Sequence, residues 1–469
     1  MNAERYYQAL QSRDRRFDGR FFVGVKSTGI YCRVICPARL PHFENCRFYP
    51  SAAAAQESGF RPCLRCRPEL APEAWARQGR SELVRQALQL IDSEQASGLE
   101  EVAQRLSVSS RHLRRSFQEE LGARPVSVVQ SRRLHLAKQL IHDTQLSMIE
   151  VALAAGFGSL RRFNETFQEL YGKPPSSLRQ ARTQPTLRSS SLTLELGYVQ
   201  PFDFASSLGY LQAHQIEGLE RVESGTYFRH LPLDGWLSVT DCAKKSALQV
   251  KLWLPELRQL PGVLNRLRRM FDVDADTRAI EQHLRLDQRL EPLVAARPGL
   301  RVPGGWDGFE SGVRALLGQQ ISLAAFRQLA AGLLKVCGSA PLFPTPQQVL
   351  AADLQELPMP GARKRALQSL AQAALDDPRL FQPGPQAAIR LQKIPGIGPW
   401  TAQCLAMHLL GESDAFPSSD AALLRSLGPP RLTPAELEEL SQAWRPWRAY
   451  AAIHLWENDR TRSKHASLP

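Results

Sequence analysis

The sequence predicts a multidomain, mainly α-helical protein with α+β parts, and three observations carry that reading. Five of the eight cysteines, Cys32, Cys36, Cys46, Cys63 and Cys66, fall within one stretch of 35 residues. One helix-turn-helix pattern occurs twice between residues 81 and 185. Four strand-like runs, expected to form a small mixed sheet, precede a long region of helical periodicity. At 469 residues three or four domains are expected. The boundaries are placed at 1–80, 81–183, a linker at 184–191, 192–255 and 256–469.

Bulk properties narrow the class. A 43% hydrophobic and 22% charged composition fits globular protein and excludes disordered and fibrous classes. The net charge of +13 favours a polyanionic partner, although a solvated basic face gives the same count. That charge is uneven, at +7 over residues 1–80, +3 over 81–185 and +3 over 186–469. No signal-peptide pattern follows Met1-Asn-Ala-Glu-Arg, and no apolar run approaches membrane-spanning length. A cytoplasmic, bacterial setting without a membrane partner is therefore expected.

In the amino-terminal segment, Cys32-x3-Cys36 and Cys63-x2-Cys66 form two short pairs separated by 26 residues. Without a secretion signal such pairs read as a metal site before a disulfide framework. Four thiolates select one zinc ion, and no organic cofactor is expected. A zinc that merely staples a small domain explains the spacing equally well. Cys46 falls outside both pairs and reads as a packed or free thiol. The surrounding words shift the balance between these readings. Phe21-Phe-Val-Gly-Val-Lys-Ser-Thr-Gly-Ile-Tyr-Cys32-Arg-Val-Ile-Cys36-Pro-Ala-Arg and Gly59-Phe-Arg-Pro-Cys63-Leu-Arg-Cys66-Arg-Pro resemble the zinc domain of the Ada family. The resemblance implies that Cys32 accepts a methyl group from a DNA phosphotriester, while Cys36, Cys63 and Cys66 complete the zinc site. Zinc keeps sulfur in the nucleophilic thiolate form. Methylation lowers the net charge of the cluster from −2 to −1, which weakens its repulsion of DNA phosphate. Lys26, Arg33, Arg39, Arg61, Arg65 and Arg67 are candidate backbone contacts.

A helix is expected from Ser81 to Asp92. Helix, turn and helix then follow over Leu99–Phe117 and again over Met148–Phe167, with a long helix near Val126–His142 between them. Ser109 is placed to cap the second helix of the first unit. A small helical bundle shares this pattern. Two copies followed by Tyr171-Gly-Lys-Pro-Pro-Ser-Ser-Leu-Arg resemble the DNA-binding domain of AraC-type regulators. Ser110, Arg111 and Arg114, then Arg161, Arg162 and Asn164, are the candidate base or phosphate contacts. Leu113, Phe117, Phe163 and Phe167 have core spacing.

In the remaining half, strands are expected at Leu192–Leu196, Thr226–Leu231, Gly235–Thr240 and Ala247–Trp253, and a helix at Phe204–Gln215. Later in the chain, Pro395-Gly396-Ile397-Gly398 joins two helices, and Gly396 and Gly398 permit a tight hairpin that offers N–H groups to a phosphate. Asp420 stands about twenty residues on, before a helical run. By itself this is a turn and an Asp N-cap. Gln200-Pro-Phe-Asp, Ala296-Arg-Pro-Gly-Leu-Arg-Val-Pro-Gly, Phe309-Glu-Ser-Gly-Val-Arg-Ala-Leu-Leu-Gly-Gln319, Phe343-Pro-Thr-Pro, the hairpin and Trp444-Arg-Pro-Trp-Arg-Ala-Tyr-Ala-Ala-Ile-His-Leu-Trp456 resemble the AlkA family of DNA-3-methyladenine glycosylases.

That resemblance implies a helix-hairpin-helix glycosylase domain with Asp420 as the catalytic carboxylate. It further implies a base pocket formed by Phe202, Trp400, Cys404 and Trp456, and DNA contacts at Gln319, Gln320, Gly396, Gly398 and Thr401. Lyase-competent relatives carry a lysine at the place of Trp400, so a monofunctional enzyme using water is expected. The sequence departs from the family at Cys404, where a tyrosine stands, at Ala421, where an aromatic stands, and at Gln320, where a wedging leucine stands. The Pro-Cys-His-Arg site of a second Ada methyltransferase domain is absent. The expected function is alkylation repair of double-stranded DNA coupled to promoter binding. RNA polymerase would be a partner if the protein activates transcription, and the protein would associate with the nucleoid when bound. The alternatives are a regulator whose glycosylase-like half only senses lesions, and a glycosylase whose first 185 residues are a zinc-stabilised DNA-binding arm.

Overall fold

The computed structural model describes residues 3–72, 82–92, 98–179, 191–384, 386–428 and 430–466. Apart from Ser191, the expected linker at 184–191 lies outside the described residues. The chain forms two compact units, one of residues 1–200, 233–265 and 273–276, the other of 201–232, 266–272 and 277–469.

In the first unit, strands Cys46–Tyr49, Phe22–Val25, Ile30–Cys32 and Arg61–Pro62 form a four-stranded sheet in that order. The last pairing is parallel and the others are antiparallel. Alternation along Phe21-Phe22-Val23 sends side chains to both faces. Phe21 and Val23 meet Ala9 and Leu10 of helix Ala3–Gln11, while Phe22 and Tyr31 meet Ala52 and Ala55. The short helix Ala52–Glu57 has a second apolar face. Ala53 and Ala54 enter the core that contains Leu113, Phe117 and Leu121, and Ser51 Oγ donates to the Leu121 carbonyl at 2.7 Å. Residues 1–72 and the first helix-turn-helix thus share a core across the position expected to separate them.

The helical pattern is observed as Glu82–Asp92, Leu99–Arg105, Ser110–Leu121, Pro125–Asp143, Met148–Ala154 and Leu160–Tyr171. Ser109 and Ser159 cap the two second helices, accepting from the N–H groups of His112 and Arg162. Gly122 and Gly172 end them in the left-handed conformation that glycine adopts at least cost. Leu113, Phe117, Phe163 and Phe167 are fully buried, as their spacing requires. Strand Ala247–Trp253 pairs antiparallel with Leu192–Gly197 and with Gly235–Cys242.

The second unit opens with helix Phe204–His214, capped by Asp203. Strands Glu220–Glu223 and Thr226–Leu231 follow as an antiparallel hairpin. The charged run Glu-Arg-Val-Glu gave no strand signal. It is a strand because Glu220 turns inward to a buried network, receiving Tyr227 Oη at 2.6 Å and Arg229 Nη1 at 3.0 Å. Arg229 also meets Glu310, and Arg314 meets both acids. Among the described residues, no helix is long and apolar enough to cross a membrane.

Candidate functional site

The two cysteine pairs converge. The sulfurs of Cys32, Cys36, Cys63 and Cys66 all lie within 4.8 Å of one another. A tetrahedral zinc site with Zn–S of about 2.3 Å needs S–S edges of about 3.8 Å, so this donor set fits one zinc ion. Cys36, Cys63 and Cys66 are buried and Cys32 is partly exposed. The Arg33 backbone N–H donates to Cys66 Sγ at 3.3 Å. A cavity of about 520 Å³ opens beside the sulfurs, lined by Cys32, Cys36 and Cys63, by Arg13, Arg39, Arg61 and Arg65, and by apolar residues including Leu40 and Leu64. Cys46, which is not one of these four sulfurs, donates to the His42 carbonyl at 3.4 Å.

Two of the six basic residues expected at DNA are committed elsewhere. Arg33 is 8% exposed and bonded to Asp18 and to the Cys66 carbonyl. Arg67 is tied to Glu69 and Asp143. Burial favours these pairings because an unpaired buried guanidinium is costly. Lys26, Arg39, Arg61 and Arg65 are exposed.

On the helix-turn-helix units, Arg111, Arg114, Arg161, Arg162 and Asn164 are exposed and Ser110 is half-buried. Arg114 pairs with Glu100 and Arg161 with Glu165, both at 2.8 Å. Exposed pairs of this kind are weak, so a phosphate can take either arginine.

In the second unit, helices Ala387–Gln392 and Pro399–His408 flank the glycine hairpin. Gly396 has φ of +89°, and a Cβ there would lie 2.5 Å from that of Ala366, so conformation and packing both demand glycine. Gly398 is exposed and caps the second helix with open space around it. Gln319 Nε2 donates to the Gly396 carbonyl at 2.9 Å and to Thr401 Oγ1 at 3.0 Å. Thr401 is 2% exposed. These two side chains, expected at DNA, therefore brace the hairpin. Arg363, which the sequence did not single out, donates to the Gln319 carbonyl at 2.5 Å. Gln320 is exposed with φ of +54°, at the end of the turn that leads into helix Leu323–Val336.

Asp420 is both a helix cap and the focus of two indoles. Its Oδ1 accepts from Ala422 N (2.9 Å), Leu423 N (3.1 Å) and Trp456 Nε1 (2.9 Å). Its Oδ2 accepts from Trp400 Nε1 at 3.0 Å. Four N–H donors fix the carboxylate, and Oδ2 keeps the larger share of its acceptor capacity. Trp400, Cys404 and His408 stand at i, i+4 and i+8, on one face of their helix. Burial and the nearby Asp420 carboxylate push the Cys404 thiol up, which keeps it protonated. His408 lies parallel to Trp456, with centroids 6.1 Å apart, and Tyr210 stacks on His408 at 5.6 Å. The i+8 spacing could have pointed to His408, but nothing local pointed to Tyr210. Phe202 packs edge-on to Phe204 and beneath the Arg301 guanidinium, 4.4 Å from its ring centroid. Asp414 is bound by Arg445 and Arg448.

Three family models match successive parts of the chain. Residues 5–69 match the family described as metal binding domain of Ada, residues 102–181 a helix-turn-helix domain, and residues 193–307 the AlkA N-terminal domain. The chain is 38% identical over 480 aligned residues to a Mycobacterium tuberculosis protein named "Probable bifunctional transcriptional activator/DNA repair enzyme AlkA", covering 97% of this chain and 96% of that one. It is 34% identical to DNA-3-methyladenine glycosylase 2 of Escherichia coli, over 56% of this chain and 95% of that one. A solved structure of the 3-methyladenine DNA-glycosylase from Archaeoglobus fulgidus superposes with a TM-score of 0.51 at 20% identity, covering 58% of this chain and 99% of that one, a likeness of fold.

Proposed function

The chain belongs to the family of the mycobacterial bifunctional transcriptional activator/DNA repair enzyme AlkA, and on that premise we propose that it repairs alkylated DNA by two chemistries and regulates transcription in response. The first chemistry is excision of N-alkylated purines of the 3-methyladenine type. The observation that carries it is the Asp420 carboxylate held by the indole N–H groups of Trp400 and Trp456. A purine alkylated on a ring nitrogen is cationic and leaves readily. As it leaves, positive charge develops on the sugar, and a fixed carboxylate stabilises that charge without reorganising. Asp420 Oδ2 is the oxygen better placed to meet the sugar or to orient water. The target base must leave the duplex stack to reach the carboxylate. The indole faces of Trp400 and Trp456 supply stacking and cation–π attraction for it, with Cys404 and Phe202 as further pocket residues. Trp400 offers no amine, so the product is an abasic site without strand cleavage. Gly396, Gly398 and Gln320 are the proposed DNA contacts of the hairpin region, with Gln319 and Thr401 behind them.

The second chemistry is transfer of a methyl group from a DNA phosphotriester to Cys32, the partly exposed sulfur of the tetrad. A zinc ion held by Cys32, Cys36, Cys63 and Cys66 maintains the acceptor as thiolate at neutral pH. The methyl carbon forms a bond to sulfur as its bond to phosphate oxygen breaks, and the phosphodiester leaves as an anion. Arg39, Arg61 and Arg65 beside the cavity favour that anion. The six candidate residues of the two helix-turn-helix units contact promoter DNA, and RNA polymerase is the proposed further partner. Radiolabelled methyl-phosphotriester DNA tests the transfer. The wild-type protein should acquire label and Cys32→Ala should not; an unlabelled wild type would reduce residues 1–185 to a DNA-binding arm.

A further inference from the structure

The cysteine tetrad and the long helix Pro125–Asp143 meet through buried polar contacts for which neither chemistry above has a use. Lys138 is 3% exposed. Its Nζ donates to the Cys63 carbonyl at 3.3 Å and to Glu69 Oε2 at 2.7 Å. His135, one turn earlier on the same face, has Nε2 2.8 Å from the hydroxyl of Tyr31, the residue before Cys32. Gln56 Nε2 donates to that hydroxyl, also at 2.8 Å. At the end of the helix, Asp143 receives both Arg67 amino groups at 3.0 and 2.8 Å, and Arg67 follows Cys66. One helix therefore touches a ligand or a ligand's chain neighbour at three of the four cysteines.

We propose that this helix, which joins the two helix-turn-helix units, is an integral part of the metal centre and that Lys138 is its principal positioning residue. The inference rests on the reading of the four cysteines as zinc ligands. Burying an ammonium group costs several kcal/mol unless good geometry offsets it, and Glu69 already has Arg67 at 2.9 Å. What Lys138 adds is the bond to the Cys63 carbonyl. That carbonyl belongs to the first ligand of the Cys63-x2-Cys66 turn, so the ammonium fixes the peptide that aims two sulfurs. Arg33 does the same for the second ligand, through its bond to the Cys66 carbonyl. Groups that orient metal ligands in this way commonly govern about 10–100-fold in metal affinity.

The test is zinc affinity of the full-length protein, by competition with a chromophoric chelator, for wild type, Lys138→Met and Lys138→Arg. Methionine keeps the length and apolar stem of lysine and removes the donor. Lys138→Met should bind zinc about 10–100-fold more weakly, and Lys138→Arg should recover most of the loss. Affinity unchanged in Lys138→Met, or no recovery in Lys138→Arg, overturns the proposal while leaving the zinc reading intact. If Lys138→Met does not fold, Asp143→Asn loosens the same helix through Arg67 and should weaken zinc binding in the same direction; unchanged affinity there overturns the proposal. A wild-type protein that binds no zinc would remove the metal reading and this inference together.

Discussion

Replacing Asp420 by asparagine keeps the shape of the side chain and removes its charge. The wild-type carboxylate accepts four N–H groups, three on Oδ1 and one on Oδ2. An asparagine oxygen can occupy the Oδ1 place and remain a good N-cap, so helix Ala421–Ser426 should lose little. Its amide nitrogen then faces Trp400 Nε1 across 3.0 Å, donor against donor. That forfeits one charge-assisted hydrogen bond, about 1.5–3 kcal/mol at most. Catalysis should suffer more, because the charge that meets the developing sugar cation is gone. Loss of one such partner costs about 10²–10³ in rate, or about 2.7–4 kcal/mol. Base release from randomly methylated DNA, with abasic-DNA binding as a control, separates the two effects. Excision within about tenfold of wild type would refute the catalytic assignment. A fall in abasic-DNA binding that matched the fall in rate would show the defect to be one of folding.

Other perturbations follow from the same structure. Trp456→Phe keeps an aromatic face and removes the 2.9 Å bond to Asp420 Oδ1; base release should fall about 10–100-fold, corresponding to a charge-assisted hydrogen bond. Arg229→Met removes one of the two arginines that meet the buried Glu220 and Glu310 and leaves Arg314 as their cation, so urea denaturation should show a loss of about 3–5 kcal/mol. Burial holds His214 down to about 4 from 6.5, with Nδ1 donating to the Tyr210 carbonyl at 2.8 Å. The folded state thus prefers the neutral ring, and the unfolded state takes up the proton first. The stability gained is complete above about pH 6.5 and lost as pH falls toward 4, amounting to about 3 kcal/mol. His214→Gln should flatten that part of the pH–stability curve, and an unchanged curve would assign the acid sensitivity to another group.

The chain itself announces its chemistry. The paired cysteines, the two glycines of the hairpin and the aspartate before a helix are local patterns with local causes. Tetrahedral thiolate geometry, left-handed backbone and helix capping each act within a few residues. The duplicated helix-turn-helix was legible for the same reason, since helical period and serine caps are short-range. Fold class, the four paired cysteines, the hairpin glycines and Asp420 came from such signals, and the longer words, through the families they resemble, supplied the remaining candidate positions.

Tertiary structure decided what each side chain does. Gln319 and Thr401 were read as DNA contacts from the resemblance to the AlkA family, and the fold also bonds them to each other because a buried hydroxyl must find a partner. Arg33 and Arg67 looked like two more basic residues beside cysteines, yet burial commits them to carboxylates. Glu220 carried no strand signal, and its strand exists because Arg229 and Arg314 wait inside the unit. Tyr210 comes to His408 from 198 residues away, and Lys138 to Cys63 from 75. No periodicity encodes such meetings. Sequence by itself determined which chemistry the protein carries, because reactive groups and turns are specified locally. The assignment of each polar group to a ligand, a brace or a buried pair was left to packing, because the desolvation that drives it exists only once the chain is folded.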